Sequence, residues 1–247
     1  MIDVLSASVR YGRHIALENA SVAFRAGCIT SVIGPNGSGK STLLKATCGL
    51  VPLSSGEVRI GGRNISLYRQ KELSRLVSYQ AQGRAFSDIR VRDLVLHGRF
   101  PYIAFGGRYS LEDRRKAEDA IDAMGIQALA DKNITELSGG ERQKAYLAMA
   151  IAQDSDMMLF DEPTSYLDIG YQFQFLSWAR EEAREKGIVM VLHDIPQALE
   201  NSDSVVLVDK GRVAAVGSPE SVLESGCIEE AFGIDIIRCG SHYICAK

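Results

Sequence analysis

Residues 34–41 are Gly-Pro-Asn-Gly-Ser-Gly-Lys-Ser, and this stretch decides the fold. It matches the pattern Gly-x-x-x-x-Gly-Lys-Ser/Thr, in which the glycines let backbone N–H groups turn inward around phosphate oxygens. A β-rich run, Cys28–Ile33, precedes it, and a helical segment from Ser41 through Thr47 follows it. Strand, loop and helix in that order predict a phosphate-binding loop (P-loop) at a helix N-terminus. Lys40 would reach the β- and γ-phosphates of a nucleotide, and the Ser41 hydroxyl would ligate Mg²⁺.

Two carboxylates end a second apolar run. Met157–Phe160 has the composition of a buried strand, and Asp161 and Glu162 follow it directly. Asp161, at the C-terminal end of that strand, is placed to hold Mg²⁺ through water, as the second acidic element of P-loop proteins does. Glu162 is placed to polarise an attacking water molecule as a general base. Alone, the pair is equally compatible with a solvated strand end; beside a P-loop, the catalytic interpretation is favoured.

The other apolar runs predict an α/β fold with a largely parallel sheet. Ile188–Leu192 and Val205–Val208 have strand length, and the helical stretch Gly170–Lys186 separates the first of them from Met157–Phe160. Strand, helix and strand in this order are typical of parallel sheets. Residues 1–32 alternate instead in short apolar runs and predict further strands.

A change of sequence character near residue 88 predicts a helical insertion. From there to about residue 152, apolar residues recur at helical spacing and charged residues fill the gaps. No Pro/Gly/Ser-rich linker divides the chain, so we expect one domain over residues 1–247. Its approximate subdomains are a nucleotide-binding core with a β subdomain, from residues 1–82 and 153–247, and a helical subdomain, 83–152.

A third segment, Leu137–Gln143, opens a helix of apolar spacing. Its sequence, Leu-Ser-Gly-Gly-Glu-Arg-Gln, allows Ser138 to cap the helix with Glu141 as its capping-box partner. A hydroxyl and two glycines before a helix also form a second phosphate-binding site, made by Ser138, Gly139 and Gly140. Both interpretations can hold together.

In their order along the chain, these motifs resemble those of the ATP-binding-cassette (ABC) family, and the resemblance covers essentially the whole sequence. Residues 34–41 resemble the Walker A motif of that family, and residues 157–162 resemble its Walker B motif. Leu137–Glu141 resembles the family signature, with Glu at the last position where Gln is commoner. Ser165–Asp168 resembles the D-loop, with Tyr166 in place of a commoner Ala.

Three single residues extend the resemblance. His193 follows an apolar run and matches the switch histidine of the family. Gln82 resembles the Q-loop glutamine; Gln80 is a rival by residue type, but the Tyr-x-x-Gln spacing favours Gln82. Tyr11 precedes a glycine and matches the aromatic residue that stacks on adenine. Taken singly, a tyrosine such as Tyr11 is more often a strand residue, and a histidine such as His193 is more often a core or capping residue; the motifs in family order favour the functional interpretation.

The resemblance implies a fold and an assembly. The fold would be that of a P-loop NTPase of the ABC type: a mostly parallel core sheet, an N-terminal antiparallel β subdomain and an inserted helical subdomain. Two copies would form a head-to-tail homodimer, with each ATP between the P-loop of one subunit and Ser138–Gly140 of the other. Glu162 and His193 would be catalytic, and Asp168 would link the two sites. The residues implied to contact ATP are Tyr11, Gly34, Pro35, Asn36, Gly37, Ser38, Gly39, Lys40, Ser41 and Thr42; those implied to hold Mg²⁺ are Ser41, Gln82 and Asp161.

One segment points to a subfamily. His97–Tyr102 is similar to the Gly-Arg-x-Pro-His segment of ABC importers for siderophores, haem and vitamin B12, with Tyr102 in place of the usual His. Leu147–Gln153 and Thr164–Asp168 also fit that subfamily. The resemblance therefore implies the ATPase subunit of an importer for an iron complex, with a ferric siderophore as the first expectation. Haem or vitamin B12 import is the alternative within the family.

The implied partners are multi-span permease subunits, with a substrate-binding protein acting through them. We expect the permease to dock on the helical insertion and to be recognised by Arg99, Pro101 and Tyr102; the alternative role of this segment is to end a helix, since proline stops helices. A non-transport ABC ATPase is a competing class, which usually carries long coiled coils or two cassettes. An ordinary P-loop kinase or GTPase would leave Ser138–Gly140 unexplained.

Composition bounds the remaining possibilities. The 28 basic and 31 acidic residues give a net charge of −3, which argues against an electrostatic nucleic-acid binder. The longest apolar stretches fall far below the roughly 18 residues of a spanning helix, and the sequence at Met1 lacks the pattern of a signal peptide. We therefore expect a cytoplasmic protein, held at the inner face of the membrane by its permease without inserting. The five cysteines are scattered without a CxxC pair, which favours reduced thiols over disulfides or a zinc site.

Overall fold

The computed structural model describes residues 1–81, 88–104, 106–240 and 242–246. The strands among them are β1 (Ile2–Tyr11), β2 (His14–Phe24), β3 (Cys28–Ile33), β4 (Ser55–Ile60), β5 (Arg63–Asn64), β6 (Val77–Gln80), β7 (Met157–Asp161), β8 (Gly187–Val191), β9 (Ser204–Asp209), β10 (Arg212–Gly217), β11 (Asp235–Cys239) and β12 (His242–Ala246). The helices are α1 (Lys40–Thr47), α2 (Gln70–Leu76), α3 (Val91–His97), α4 (Leu111–Ala123), α5 (Gly139–Ala152), α6 (Ile169–Glu182), α7 (Ile195–Asn201), α8 (Pro219–Glu224) and α9 (Cys227–Phe232). Single 3-10 turns occupy Ile65–Leu67, Phe100–Tyr102, Gln127–Leu129 and Ile134–Glu136.

The core is a six-stranded sheet in the order β10-β9-β3-β8-β7-β6. Adjacent strands of this sheet are parallel from β9 through β6, whereas β10 is antiparallel to β9. Apolar side chains of β3 pack on both faces of the sheet: Ile29 and Ile33 lie in one buried cluster and Val32 lies in another. Because parallel strands share the direction of their carboxyl ends, the loops after β3, β7 and β8 meet at one edge of the sheet. The predicted mostly parallel core is confirmed.

A second sheet, in the order β2-β1-β4-β5, is antiparallel throughout. β1 and β2 pair from Ile2 opposite Phe24 to Tyr11 opposite His14. Side chains from β1, β2 and α1 share a buried apolar cluster with the core strands, which holds this sheet against the core. The predicted antiparallel β subdomain is confirmed, and it brings Tyr11 to the end of a hairpin.

The stretch between residues 88 and 152 is helical, as the periodicity predicts. α3, α4 and α5 contact one another and bury their apolar faces in one cluster with α6 and the core sheet. α5 begins with the expected capping box between Ser138 and Glu141. The subdomain limits at residues 83–152 stay a prediction, because residues 82–87 lie outside the described part of the chain. Among the described residues, no helix combines the length and the apolar character that a membrane crossing requires.

One predicted helix has different ends. α6 covers Ile169–Glu182 rather than 170–186, because Asp168 caps it and accepts a hydrogen bond from the backbone N–H of Tyr171 at 3.1 Å. The next residues form a turn that leads into β8. Gly187 begins that strand, and its N–H donates to the carbonyl oxygen of Asp156 at 2.9 Å.

Candidate nucleotide-binding site

The P-loop is packed tightly at both ends, against the core sheet at Gly34 and against the β subdomain at Gly39. Gly34 has a φ of +151°, and a Cβ there would lie 2.0 Å from the carbonyl oxygen of Val208. Gly39 has a φ of +107°, and a Cβ there would lie 2.6 Å from the carbonyl oxygen of Ala16. Any L-residue at either position would therefore collide with backbone, in a conformation that glycine adopts readily. The glycines of the motif are thus required by the shape of the loop itself.

Lys40 is the first residue of α1, and its side chain folds back over the loop. Its ammonium group donates to the carbonyl oxygens of Gly34 at 2.8 Å and Pro35 at 2.9 Å. Burial lowers the pKa of Lys40, while the carboxylates of Glu162 and Asp161 oppose that shift. A buried cation among backbone dipoles at a helix N-terminus fits an anionic ligand such as a polyphosphate.

Oxygen ligands suited to Mg²⁺ meet beside the lysine. The Ser41 hydroxyl donates to Oδ1 of Asp161 at 3.0 Å, and the Tyr79 hydroxyl donates to Oδ2 of the same carboxylate at 2.8 Å. A hydroxyl and a carboxylate are the hard oxygen donors that Mg²⁺ takes in phosphate sites. The two described residues of the predicted metal set therefore lie together. Tyr79 was not predicted as part of this set; its sequence signal is a polar group at the next-to-last position of a buried strand.

Of the two candidate glutamines, Gln80 and Gln82, the structure describes only Gln80. Gln82 lies outside the described residues. Gln80 is buried at the end of β6, and its amide donates to the carbonyl oxygen of Ala81 at 3.0 Å. Tyr79, its neighbour, points toward Asp161, and adjacent strand residues point to opposite faces of a sheet. This geometry disfavours Gln80 as a metal ligand and leaves Gln82 as a prediction.

The general-base candidate and the histidine are brought together by adjacent parallel strands. β7 and β8 are neighbours, so Glu162 and His193 both follow at the same edge of the sheet. Nε2 of His193 lies 2.5 Å from Oε1 of Glu162, and the Ser165 hydroxyl lies 3.3 Å from Oε2. Glu162 has a φ of +56°, an uncommon conformation for a non-glycine residue that is typical of functional sites. A carboxylate held on two sides is suited to orienting water and accepting its proton.

An open cleft of about 390 Å³ joins these groups to the β subdomain, a volume in the range of small-molecule sites. Gly34, Pro35 and Ser38, also predicted to contact ATP, form the loop behind it, and Ser38 is buried. His14 and Ala16 were missed by the sequence analysis, because only the hairpin brings them beside the P-loop. The cleft is lined by Tyr11, His14, Ala16, Asn36, Gly37, Gly39, Lys40, Ser41, Thr42 and Glu162.

The second predicted phosphate site faces outward. Ser138 caps α5: its hydroxyl accepts from the Glu141 N–H at 3.3 Å, and its own N–H donates to the Glu141 carboxylate at 2.8 Å. Ser138 and Gly139 are exposed, and neither they nor Gly140 belong to the residues that line the cleft. Asp168 is also exposed and caps α6. Within one chain, the two phosphate-binding candidates are therefore separate.

The prediction that Arg99 recognises a permease is corrected by its burial. Arg99 is 5% exposed, and its guanidinium lies 3.0 Å from the Asp113 carboxylate. It also donates to the carbonyl oxygens of Ala152 at 2.9 Å and Gln153 at 3.2 Å. The sequence prediction rested on the resemblance of residues 97–102 to the importer subfamily segment, and arginine is usually exposed. Tertiary packing turns this one inward, where it has an internal structural role.

A P-loop lysine, an acidic strand end and a histidine on one edge of a parallel sheet, with a helical layer and a β subdomain attached, define a P-loop nucleotide-binding protein. The profile of the family described as "ABC transporter" matches residues 17–165. The chain belongs to this family.

Curated relatives agree over nearly the full length. The chain is 38% identical to the ferric enterobactin transport ATP-binding protein FepC of Escherichia coli, over 93% of this chain and 84% of that protein. It is 38% identical to the petrobactin import ATP-binding protein YclP of Bacillus subtilis, over 96% of this chain and 94% of that protein. It is 35% identical to the iron(3+)-hydroxamate import ATP-binding protein FhuC of Bacillus subtilis, over 92% of this chain and 86% of that protein.

Solved structures share the fold. A dimeric bacterial ABC transporter cassette, MJ0796, superposes with a TM-score of 0.79 at 25% identity, over 89% of this chain and 99% of that chain. A nucleotide-free ATP-binding cassette from an ABC transporter gives a TM-score of 0.79 at 22% identity, over 91% of this chain and 94% of that chain. The predicted fold class is therefore confirmed by its neighbours as well as by its topology.

Proposed function

We propose that this protein is the ATP-hydrolysing subunit of an ABC importer for a ferric siderophore. The observation that carries the enzymatic part is the contact between Glu162 and His193 beside Lys40 and the Ser41–Asp161 pair. These groups supply a phosphate cradle, oxygen ligands for a divalent cation and a general base in one cleft. The sequence identity of 35–38% to import ATP-binding proteins, over more than 90% of this chain, supports the proposed role in transport.

In the proposed reaction, Lys40 holds the β- and γ-phosphates, and Tyr11 stacks on the adenine at the far end of the cleft. Bound between Ser41 and Asp161, Mg²⁺ would supply positive charge to neutralise the phosphate oxygens. Glu162 accepts a proton from the attacking water, and His193 holds that water and the γ-phosphate in place. The 2.5 Å contact between Glu162 and His193 supports this division, because it limits the orientations of the carboxylate.

A second copy of the chain completes the site in this proposal. Ser138 and Gly139 are exposed and would contact the γ-phosphate held by the partner's P-loop, while Asp168 would link the two sites. The adjacent surface is unusually apolar: Tyr166, Ile169 and Phe173 are 77%, 73% and 66% exposed. Large exposed apolar patches are typical of protein interfaces. An active site divided between two subunits makes hydrolysis depend on their closure.

The cargo and the other partners follow from the named relatives. Those relatives import ferric enterobactin, petrobactin and iron(3+)-hydroxamate, as their names state. We propose the same cargo class here, with haem and vitamin B12 as alternatives, carried by a multi-span permease that receives it from a substrate-binding protein. The ATPase would lie at the cytoplasmic face of the membrane. Because Arg99 is buried, Phe100, which is 70% exposed, is the better candidate for a permease contact in its segment.

Reconstitution tests the proposal. The chain, its permease and the binding protein are placed in proteoliposomes, and ATP hydrolysis and uptake of a ⁵⁵Fe-labelled siderophore are measured together. We expect uptake that requires ATP and stops when Glu162 is replaced by Gln, with haem and vitamin B12 as competing cargoes. Hydrolysis that no permease or cargo stimulates would favour a non-transport ABC ATPase. Absence of hydrolysis by the wild-type complex would contradict the enzymatic assignment.

A further inference from the structure

The ring of Tyr102 contacts two guanidinium groups from different parts of the molecule. The Arg99 guanidinium carbon is 3.8 Å from the ring centroid, and that of Arg75 is 5.2 Å from it. Both distances are within the range of cation–π attraction. Arg75 belongs to α2, which leads directly into core strand β6, whereas Arg99 and Tyr102 follow α3 in the helical layer. The stack therefore joins the helical layer to the core.

On the helical side, Arg99 ties three helices together. It pairs with Asp113 on α4 and, through the carbonyl oxygens of Ala152 and Gln153, caps the C-terminal end of α5. Gly98 makes this approach possible, because a Cβ there would lie 2.2 Å from the carbonyl oxygen of Met149. Whatever moves Arg99 must move the end of α5.

On the core side, α2 holds the same segment through backbone oxygens. The Arg75 side chain donates to the carbonyl oxygen of Pro101 at 2.9 Å, and the Lys71 ammonium contacts the carbonyl oxygen of Ile103. The Gln153 amide, at the C-cap of α5, donates to the carbonyl oxygen of Ser74 at 2.5 Å. α2 and the C-terminal end of α5 are thus connected both directly and through the Tyr102 stack.

The two ends of α5 have different roles. Its N-terminal end presents Ser138, and its C-terminal end is held by Arg99 and Gln153. At 1.5 Å per residue the helix is about 21 Å long, so a tilt of about 3° at one end displaces the other by about 1 Å. Errors of that size at a reacting centre cost up to about a hundredfold in rate.

We propose that Tyr102 is a positioning residue: its stacking contacts with Arg75 and Arg99 set the angle of α5 against the core and so place Ser138 for the nucleotide of the partner subunit. This inference rests on the proposed function. It assigns Arg99 and Tyr102 an internal role in place of the surface recognition that the sequence suggested. The ring, rather than the hydroxyl, has this role, because among the described residues the hydroxyl makes one hydrogen bond, to the carbonyl oxygen of Asp154 at 3.3 Å.

The test compares variants in the reconstituted complex, with ATP affinity, kcat and thermal unfolding measured for each. Tyr102→Leu removes the ring, Tyr102→Phe keeps it, and Arg75→Gln removes the exposed cation. Tyr68→Leu is the matched control, since Tyr68 stacks under Arg63 at 4.4 Å entirely within the β subdomain. We expect Tyr102→Leu and Arg75→Gln to lower kcat about tenfold with ATP affinity of the isolated subunit unchanged. Tyr102→Phe and Tyr68→Leu should keep the wild-type kcat.

A double-mutant cycle distinguishes the stack from general damage. The variant with both Tyr102→Leu and Arg75→Gln should lose clearly less kcat than the two single losses combined, because both changes remove the shared contact between Arg75 and Tyr102. Wild-type kcat in Tyr102→Leu, an equal loss in Tyr102→Phe, or fully additive losses would each overturn the inference. If Tyr102→Leu does not fold, Arg75→Gln at the surface decides alone. Failure of the proposed function shows itself differently, as absence of hydrolysis by the wild-type complex.

Discussion

Nε2 of His193 lies 2.5 Å from Oε1 of Glu162, although 31 positions separate the two residues in the sequence. The contact exists because β7 and β8 are parallel neighbours whose carboxyl ends coincide. Each strand therefore places one of the two groups at the same edge of the sheet, and Glu162 lines the phosphate cleft. Because the two side chains come from different strands, each can be replaced without the other, and the general-base role of Glu162 can be tested separately from the role of His193.

Replacing Glu162 by Gln should keep ATP binding and lower hydrolysis by at least about a hundredfold, since a general base is lost while shape is preserved. The variant should also accumulate as an ATP-bound dimer, which size-exclusion chromatography with ATP detects. Glu136→Gln, at an exposed position outside the cleft, is the control and should hydrolyse ATP at the wild-type rate. Turnover near wild type in Glu162→Gln would exclude Glu162 as the base.

Replacing Lys40 by Ala should weaken nucleotide binding itself, because the cation that faces the β- and γ-phosphates is removed. Ser138→Arg should bind ATP normally in the isolated subunit yet prevent hydrolysis, since its effect falls on the partner's site. Equilibrium binding with a fluorescent ATP analogue and a phosphate-release assay separate the two effects. Equal loss of binding in both variants would contradict the division of the site between subunits.

Mixed dimers provide a stricter check of that division. A dimer of one Lys40→Ala subunit and one Ser138→Arg subunit keeps one intact composite site, because both changes fall on the other site. We expect the mixed dimer to bind and hydrolyse ATP while neither homodimer of variants hydrolyses it. Differently tagged subunits allow the mixed species to be purified. An inactive mixed dimer would show that Ser138 serves its own subunit's nucleotide.

Replacing Arg99 by Ala should lower the free energy of unfolding by about 3–5 kcal/mol, because the buried Asp113 carboxylate loses its partner. Urea unfolding followed by circular dichroism measures the change. Arg115→Ala, which removes an exposed ion pair with Glu112, is the control and should have a far smaller effect. A mild effect at Arg99, comparable with that of the control, would contradict its internal structural role.

Asp154 should make stability fall in acid. Burial alone would raise the pKa of Asp154, but hydrogen bonds from Lys186 and Lys116 outweigh it and lower the pKa. A carboxylate with a lowered pKa in the folded state stabilises the protein above its unfolded pKa of about 3.9 and loses that contribution as the pH falls further. Asp154→Asn should therefore be less stable than wild type at pH 7, with the difference shrinking below about pH 4.

Urea titrations across the pH range test this, with Asp131→Asn as the control at a well-exposed ion pair. The control should differ little from wild type at any pH. A stability difference for Asp154→Asn that stays constant from pH 7 to acid would contradict the electrostatic explanation.

Local backbone chemistry made much of the site predictable. Residues 34–41 form a phosphate loop because glycine conformations and a helix N-terminus depend on consecutive residues. Ser138 and Glu141 form their capping box for the same reason, since both groups bond to backbone within one helical turn. The α/β fold followed from apolar runs of strand length separated by a helix, and α6 differs from its prediction only at its ends.

Long-range packing decided the rest. The amino-acid sequence was enough to predict the P-loop, the acidic strand end, the alternation of core strands with helices and the resemblance to the ABC family. Only the tertiary structure placed Tyr79 on Asp161, brought His14 to the cleft, turned Arg99 inward and held Ser138 away from Lys40. Each of these depends on which distant residues come to share a sheet edge or a buried cluster, and a side chain's type does not encode that. A motif within one turn or loop is specified by its own backbone, whereas a contact across the fold is specified by everything packed between its members.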